Sequence, residues 1–435
     1  MKASSSVLVF AISIYTFCAT VGNAQVAVPA WQQTGAPLKT WRSIACSADG
    51  ARLIAIPWVS GPVYLSTDSG ATWAPSSLSI SADLYGGHEV ASSADGQTLA
   101  VLGLETIYTS TDSGTTWTAR QATSHQWSGI AMSADGAKMA AVSGGTSGGE
   151  IYTSSDTGAD WTLRDSSQSW QDVASSADGT KWVAVSGDPA GDTSGYIYTS
   201  INSGTNWTQN AAAANDGYNY YWTSVACSAD GTKLFATEIN SFDPDLAGAS
   251  SGQIHVSTDA GGHWDTSSFS LQSPLMLWVN VACSTNGNVV VAASAGFYSL
   301  SASYSGAPFA AVVYASTNSG SSWQLSYAPN MNWQGVASSA DGTKLYAASF
   351  ALNGSNPGPI YAYTAPSTNV PTLNIATGGG NAFVSWPWPS TGFVLQQNTN
   401  LASPNWITLS NAAAVVNQAI VPQTNANDFY RLVQP

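Results

Sequence analysis

The feature that most constrains this chain is a pair of short motifs that alternates along it in seven copies. One half reads WRSIACSADG at 41–50, HEVASSADG at 88–96, WSGIAMSADG at 127–136, WQDVASSADG at 170–179, WTSVACSADG at 222–231, WVNVACSTNG at 278–287 and WQGVASSADG at 333–342. The other half follows each of the first six: STDSGATW at 66–73, STDSGTTW at 110–117, SSDTGADW at 154–161, SINSGTNW at 200–207, STDAGGHW at 257–264 and STNSGSSW at 316–323. A fixed period of this kind means that one supersecondary unit is stacked repeatedly. The turn anchors Asp49, Asp95, Asp135, Asp178, Asp230, Asn286 and Asp341 are 40 to 56 residues apart. Between the motifs run short apolar segments such as Leu53-Ile54-Ala55-Ile56, bounded by Gly, Ser and Asn, which read as strands. About four strands fit each period, the content of a propeller blade. The spacing predicts an all-β protein in which residues 25–366 form a seven-bladed β-propeller.

The ring closure is also written in the spacing. Trp117 to Trp127 and Trp323 to Trp333 join the end of one unit to the start of the next, and Trp31 to Trp41 repeats the interval without a motif in front of it. The seventh copy stops at IYAYTAPS (360–367), so Ala30 to Thr34 is expected to supply its missing outer strand and remove the open edge. Beyond Pro366 the repeat ends. Residues 367–435 carry about seven short strand-like segments, which suit a small immunoglobulin- or fibronectin-like β-sandwich.

Residues 1–24 read as an export signal: Lys2, an apolar stretch from Val7 to Val21, then Gly22-Asn23-Ala24 before the expected cut. The mature chain is therefore expected to be secreted, periplasmic or held at a cell surface, with no membrane insertion after cleavage. Cys18 falls in the signal, and the odd number left, Cys46, Cys227 and Cys283, argues against a disulfide framework. Only 8% of residues are charged, and the formal net charge is -14. A chain this acidic offers no basic surface for phosphates, which excludes nucleic acid and anionic lipid as partners. An extracellular glycan or protein, bound by a monomer, is the expected partner.

The second motif resembles the S-x-D-x-G-x-[T/S]-W Asp-box, or BNR repeat, of the sialidase-like propeller superfamily, with six copies in register over 30–366. That superfamily includes sialidases, xyloglucan-cleaving enzymes, sorting receptors and photosystem II assembly factors, so the resemblance implies a fold rather than a chemistry. Asp68, Asp112, Asp156 and Asp259 read as turn caps, with Gly supplying a positive φ and the Trp packing beneath. Asn202 and Asn318 fill the same slot, and an amide can cap a turn but cannot serve as acid, base or nucleophile.

The resemblance also implies that the Asp-box turns face away from the ligand. The ligand face is then built from the loops that enter each inner strand and those joining second and third strands. These loops are longest in blades five and six, at 209–221, 238–252, 265–277 and 294–310. They hold Asp216, Tyr218, Tyr220 and Tyr221, and aromatic faces beside acidic acceptors suit sugar rings. Arg42, His88, Trp222 and Trp278 complete the candidate ligand set, although the six inner-strand Trp, Trp41, Trp127, Trp170, Trp222, Trp278 and Trp333, form a layer that also reads as wedges between blades. A sialidase would need an arginine cluster and an Arg-Ile-Pro signature, both missing, and only one propeller is present for a xyloglucan cleft.

Two residues after each inner-strand Trp slot stand Ser43, Glu89, Gly129, Asp172, Ser224, Asn280 and Gly335. Glu89 and Asp172 are the acids of that layer. With Glu238 they are the candidate carboxylates for glycoside hydrolysis, which needs two carboxyl groups of unlike pKa at a suitable distance. No cofactor is expected. No metal site is expected either, since the histidines are scattered and Asp188/Asp192 and Asp243/Asp245 lack a loop motif. Binding or scaffolding is thus favoured over a hydrolase or a bare protein-interaction platform.

Overall fold

A computed structural model describes residues 31–364 except 82–88, 123–124, 145–147, 188–194, 211–219, 241–251, 267–275, 296–310, 327 and 351–356, together with six strands between 374 and 433. Residues Trp31–Thr364 form one compact unit made of seven four-stranded antiparallel sheets. The inner strands, one per blade, are Trp41–Cys46, Val90–Ser92, Gln126–Met132, Trp170–Ser175, Tyr220–Cys227, Leu277–Cys283 and Asn332–Ser338. No helix occurs among the described residues. The fold is the seven-bladed β-propeller that the repeat predicts.

The ring is sealed by a circuit of backbone hydrogen bonds. Ala48 N–H donates to Ala94 C=O, and the pattern continues through Ala134, Ala177, Ala229, Thr285 and Ala340, whose N–H returns to Ala48 C=O, every link being 2.7 or 2.8 Å. Each participant follows the Ser of the S-x-D/N-G turn. A small residue there lets seven backbones approach around one axis.

Second strands such as Leu53–Pro57, Leu99–Leu102 and Trp182–Ser186 are buried along their whole length. Sheets covered on both faces give continuous apolar runs instead of alternation. Trp41, Trp127, Trp170, Trp222, Trp278 and Trp333 are fully buried wedges between successive blades. Trp222, for example, packs on Val183, Val185 and Ile197 of blade four. Each indole meets a third-strand ring edge-on, as Trp170 meets Tyr198 at 4.9 Å and Trp222 meets His255 at 4.9 Å. Blade two has Gly87 in the Trp slot, and Leu78 and Ile80 of blade one fill the corresponding cluster.

The turn motif works through three residues. In blade two Ser110 Oγ donates to Asp112 Oδ1 and accepts the buried Gly114 N–H at 2.8 Å, while Asp112 accepts the N–H and hydroxyl of Thr116. The residue before the Gly also takes a left-handed backbone, with φ between 56° and 63° at Ser69, Ser113, Thr157, Ser203, Ala260 and Ser319. Sequence reasoning assigned the strain to the Gly alone and missed the Ser. Asn202 and Asn318 accept the same N–H from residues 206 and 322 through their amide oxygens. Ser110→Ala is therefore expected to cost about 1–3 kcal/mol, the penalty for one orphaned buried N–H. Asp112→Asn should leave the urea midpoint nearly unchanged, and the reverse ranking would show that the carboxylate charge holds the turn.

Cations tie these turns to those of neighbouring blades. Lys344 Nζ donates to Asp49 O at 2.8 Å in the next blade, Lys181 Nζ to Asp230 O at 2.7 Å, and Arg52 to Ser113 Oγ at 2.6 Å.

The last blade takes its outer strand from the N-terminal side. Gln32–Gln33 pairs antiparallel with Pro357–Thr364, through Gln32 to Ala362 and Gln33 to Tyr361. Trp31 lies 6.5 Å from Trp333 at 40°, as Trp73 lies 6.3 Å from Trp41 at 38° and Trp207 lies 6.4 Å from Trp170 at 44°. It thus holds the motif-Trp position of blade seven.

Residues 365–435 belong to a separate unit. Its described strands form two three-stranded sheets, one from Asn374–Gly378, Asn381–Ser385 and Gln418–Pro422, the other from Ile407–Thr408, Val394–Asn398 and Phe429–Val433. The export signal expected at 1–24 lies outside the described residues.

Candidate functional site: the central channel

Every inner strand described from its Trp onward carries a β-bulge just after that Trp, between Trp41 and Ser43, Trp127 and Gly129, Trp170 and Asp172, Trp222 and Ser224, Trp278 and Asn280, and Trp333 and Gly335. A bulge opposes two residues to one and re-aims the strand. In three blades the inserted residue is Arg42, Gln171 or Gln334.

These residues assemble the mouth. The Arg42 guanidinium lies 4.4 Å from the Trp58 ring centroid and donates to Gln334 Oε1 at 3.4 Å. Tyr221 OH donates to Gln171 Oε1 at 3.2 Å, and Gln171 Nε2 donates to Gly187 O at 2.8 Å. Burial lowers the Arg42 pKa, with the charges of Glu89 and Tyr221 opposing.

Below the mouth the layer of Glu89 and Asp172 forms a belt. Glu89 Oε2 accepts the Ile130 N–H of the next blade at 3.2 Å. Asp172 Oδ2 accepts Val225 N–H at 2.8 Å, Ser224 Oγ accepts Val281 N–H at 3.3 Å, and Asn280 Oδ1 accepts Val336 N–H at 2.9 Å. Gly129 has no acceptor to offer, and Asp172 Oδ1 takes its own neighbour's Val173 N–H at 2.7 Å instead. The inward edges of the inner strands would otherwise present buried donors without partners, a costly state.

Both acids are more readily protonated than ordinary carboxyls. Burial raises Asp172 to about 6, against the pull of the Val225, Ser224 and Val173 hydrogen bonds. Burial, then the charge of Asp172, pushes Glu89 well above the usual range, with Ile130 N–H and Arg42 opposing.

The structure separates the remaining candidates. Glu238 is not in the belt: it is fully buried in blade five, where its Oε1 accepts Gln253 N–H at 3.0 Å and lies 3.9 Å from His255 Nε2. It replaces the serine that accepts Glu150 N–H in blade three and Tyr196 N–H in blade four. Trp222 and Trp278 are corrected from ligand contacts to core wedges, since neither exposes any surface. Tyr221, whose OH donates to Gln171, and Tyr220 lie in the inner strand of blade five. His88, Asp216, Tyr218, Asp243, Asp245, Asp188 and Asp192 lie outside the described residues. Sequence reasoning missed Gln171, Gln334 and Trp58.

Away from the mouth, blade three carries a second polar group: His125 Nε2 lies 2.9 Å from Glu150 Oε2, which also accepts Tyr152 OH at 2.8 Å. Among the described residues no three metal-binding side chains converge. Cys46, Cys227 and Cys283 are free thiols whose pKa burial raises, Cys46 and Cys283 to about 12, so they are inert at neutral pH.

No family model matches the chain, and no curated protein matches it. Solved structures similar to it include YCF48 bound to a D1 peptide, at 16% identity and a TM-score of 0.54, covering 78% of this chain and 100% of that one. YCF48 from Cyanidioschyzon merolae is similar at 15% identity and a TM-score of 0.53, covering 78% and 99%. Hydrazine synthase of Kuenenia stuttgartiensis is similar at 15% identity and a TM-score of 0.52, covering 80% and 100%. At such identities what this chain shares with these proteins is the propeller fold.

Proposed function

We propose that this protein is an exported binding module whose propeller receives an extracellular glycan or protein at the channel mouth, without catalysing a reaction. The observation that carries this reading is the commitment of the central acids. Glu89 and Asp172 each accept a backbone N–H from another blade. A general acid or nucleophile must instead reach the substrate. The mouth above them offers a planar cation on an aromatic ring, two carboxamides and a phenol, groups that bind polar ligands through hydrogen bonds and stacking. YCF48, whose solved complex holds a D1 peptide, gives a precedent for a ligand on this fold.

The test is to pass residues 25–435 over immobilised glycans, sialylated, xyloglucan and plain β-glucan, and over a peptide panel, reading retention and soluble sugar release together. Retention without release is expected. Tyr221→Ala should weaken that retention tenfold or more, as loss of a central aromatic contact does at many interfaces, whereas Glu89→Gln should retain it. Sugar release that disappears in Glu89→Gln would replace this reading with a glycoside hydrolase.

A further inference from the structure

The cations of the turn face follow a rule that one junction breaks. At four junctions a lysine beside the start of the second strand donates its Nζ to a turn carbonyl of the next blade: Lys138 to Asp178 O at 3.0 Å, Lys181 to Asp230 O at 2.7 Å, Lys233 to Asn286 O at 2.9 Å and Lys344 to Asp49 O at 2.8 Å. Where the next blade has a serine before the motif Gly, the same ammonium also reaches its hydroxyl, at 3.3 Å for Ser203, 2.9 Å for Ser319 and 3.1 Å for Ser69. Blade five has Ala260 at that place, which leaves Lys181 the carbonyl. In blade one Arg52 fills the lysine slot and donates to Ser113 Oγ at 2.6 Å. The receptor is thus a turn carbonyl and a motif hydroxyl, and the preceding blade supplies the cation.

Blade two has Thr98 in the lysine slot. The receptor it faces in blade three is complete. Thr157 supplies the hydroxyl-bearing residue, with φ 63° against 56° to 59° for Ser69, Ser113, Ser203 and Ser319. Its N–H donates to Ala137 O at 2.9 Å, as Ser203 N–H donates to Thr180 O at 2.8 Å. Asp135 Oδ1 accepts from Ser133 Oγ and Ala137 N–H, as Asp178 Oδ1 accepts from Ser176 and Thr180. These bonds hold residues 135 and 157 in the relation that residues 178 and 203 have around the Lys138 ammonium.

Thr98 packs where the lysine stems pack. A Cβ on Gly136 would meet Thr98 Cβ at 2.6 Å, as one on Gly179 would meet Lys138 Cδ at 2.8 Å. The threonine ends at its γ atoms, whereas a lysine runs on through Cδ, Cε and Nζ. At the filled junctions the ammonium-to-carbonyl bonds are solvent-exposed, so the equivalent position is reached from outside. Val289 also lacks a charge in this slot, but blade seven has no turn motif to complete a receptor.

Charge favours a cation here. The chain carries a formal net charge of -14, and hydrogen bonds from Ser133 and then Ala137 hold Asp135 below the usual carboxylate range. A compact ammonium donates to carbonyl and hydroxyl together, which a planar guanidinium on a rigid fork does less readily.

We propose that the turn face between blades two and three docks a lysine side chain of a partner polypeptide, its ammonium taking the place beside Asp135 O and Thr157 Oγ1 that built-in lysines fill at other junctions. The site is separate from the channel mouth and does not depend on the function proposed for it.

The probe is Nα-acetyl-lysine amide, with its Nε-acetylated form and Nα-acetyl-arginine amide as counterparts, added to residues 25–435 while backbone amide resonances are followed. The Gly136, Ala137 and Thr157 signals are expected to shift and saturate with the lysine probe at roughly millimolar concentration, as suits one exposed ammonium. The Nε-acetylated form should not bind, and the arginine form should bind more weakly. Thr98→Lys supplies the ammonium from within and should weaken probe binding about tenfold or more. Thr157→Ala removes the hydroxyl and should weaken it as well, in a turn that accepts alanine at this place in blade five. Unsaturable shifts, an equal response to the Nε-acetylated form, or parental binding in both variants would overturn the proposal. Should Thr98→Lys fail to fold, the Thr157→Ala titration and the three probes decide it.

Discussion

Trp31→Ala is expected to lower the stability of the propeller by about 3–5 kcal/mol, the range for truncating a buried indole to a methyl group. Trp31 is only 6% exposed, its Nε1 donates to Ser326 Oγ at 3.0 Å, and its ring contacts Tyr363 at 5.8 Å as well as Trp333. The segment after it continues the seal: Thr34 N–H donates to Ile360 O at 2.9 Å and Gly35 N–H to Gly70 O at 2.9 Å in blade one. The variant removes a wedge from the one blade built from distant parts of the chain, so the urea midpoint should fall sharply. Trp31→Phe should recover part of the loss. If Trp31→Ala melted like the parent, the amide circuit through Ala340 and Ala48 would close the ring by itself.

Asp172→Ala should destabilise by about 2–6 kcal/mol, because it orphans two buried amides, Val173 and Val225, at about 1–3 kcal/mol each. Asp172→Asn keeps an acceptor oxygen and should lose less. The pair also separates charge from hydrogen bonding through pH. With its folded pKa raised to about 6 from an ordinary value near 4, Asp172 binds its proton more tightly when folded. The stability this gives is fully present below about pH 4 and is lost as pH rises through about 6. The turn aspartates act in the opposite sense. Hydrogen bonds from Ser176 and Thr180 hold Asp178 down at about 2, and those from Ser228 and Thr232 do the same for Asp230. Their stabilisation is present above about pH 4 and is lost as pH falls through 2. Each is exposed, so each contributes little. The melting temperature should therefore rise from pH 2 to about 4 and decline toward 6, and Asp172→Asn should flatten the decline while leaving the acid limb. A decline that persists in Asp172→Asn would assign it to Glu89.

Much of this was legible because it is local. Ser66, Asp68 and Gly70 satisfy one another within a few residues, so six copies of the motif announce six turns wherever they fall in the ring. The Trp wedges were legible as a layer between blades, and their partners were not: burial of Trp222 against Val183 and Val185 exists only once blade five packs on blade four. The layer containing Glu89 and Asp172 could be counted from the Trp slot, but its role could not. Each acid meets an amide in another blade, Ile130 for Glu89 and Val225 for Asp172.

Sequence alone determined the blade number, the turn chemistry and the place of the closing strand, because short-range hydrogen bonding and a regular period do not depend on the remainder of the fold. Tertiary structure alone decided the mouth and the belt. Arg42 meets Gln334 from 292 positions away and Tyr221 meets Gln171 from 50, and a one-residue bulge determines which side chain turns inward. A bulge leaves no local signature, so a carboxylate that reads as a catalyst in the sequence becomes an interblade acceptor in the fold.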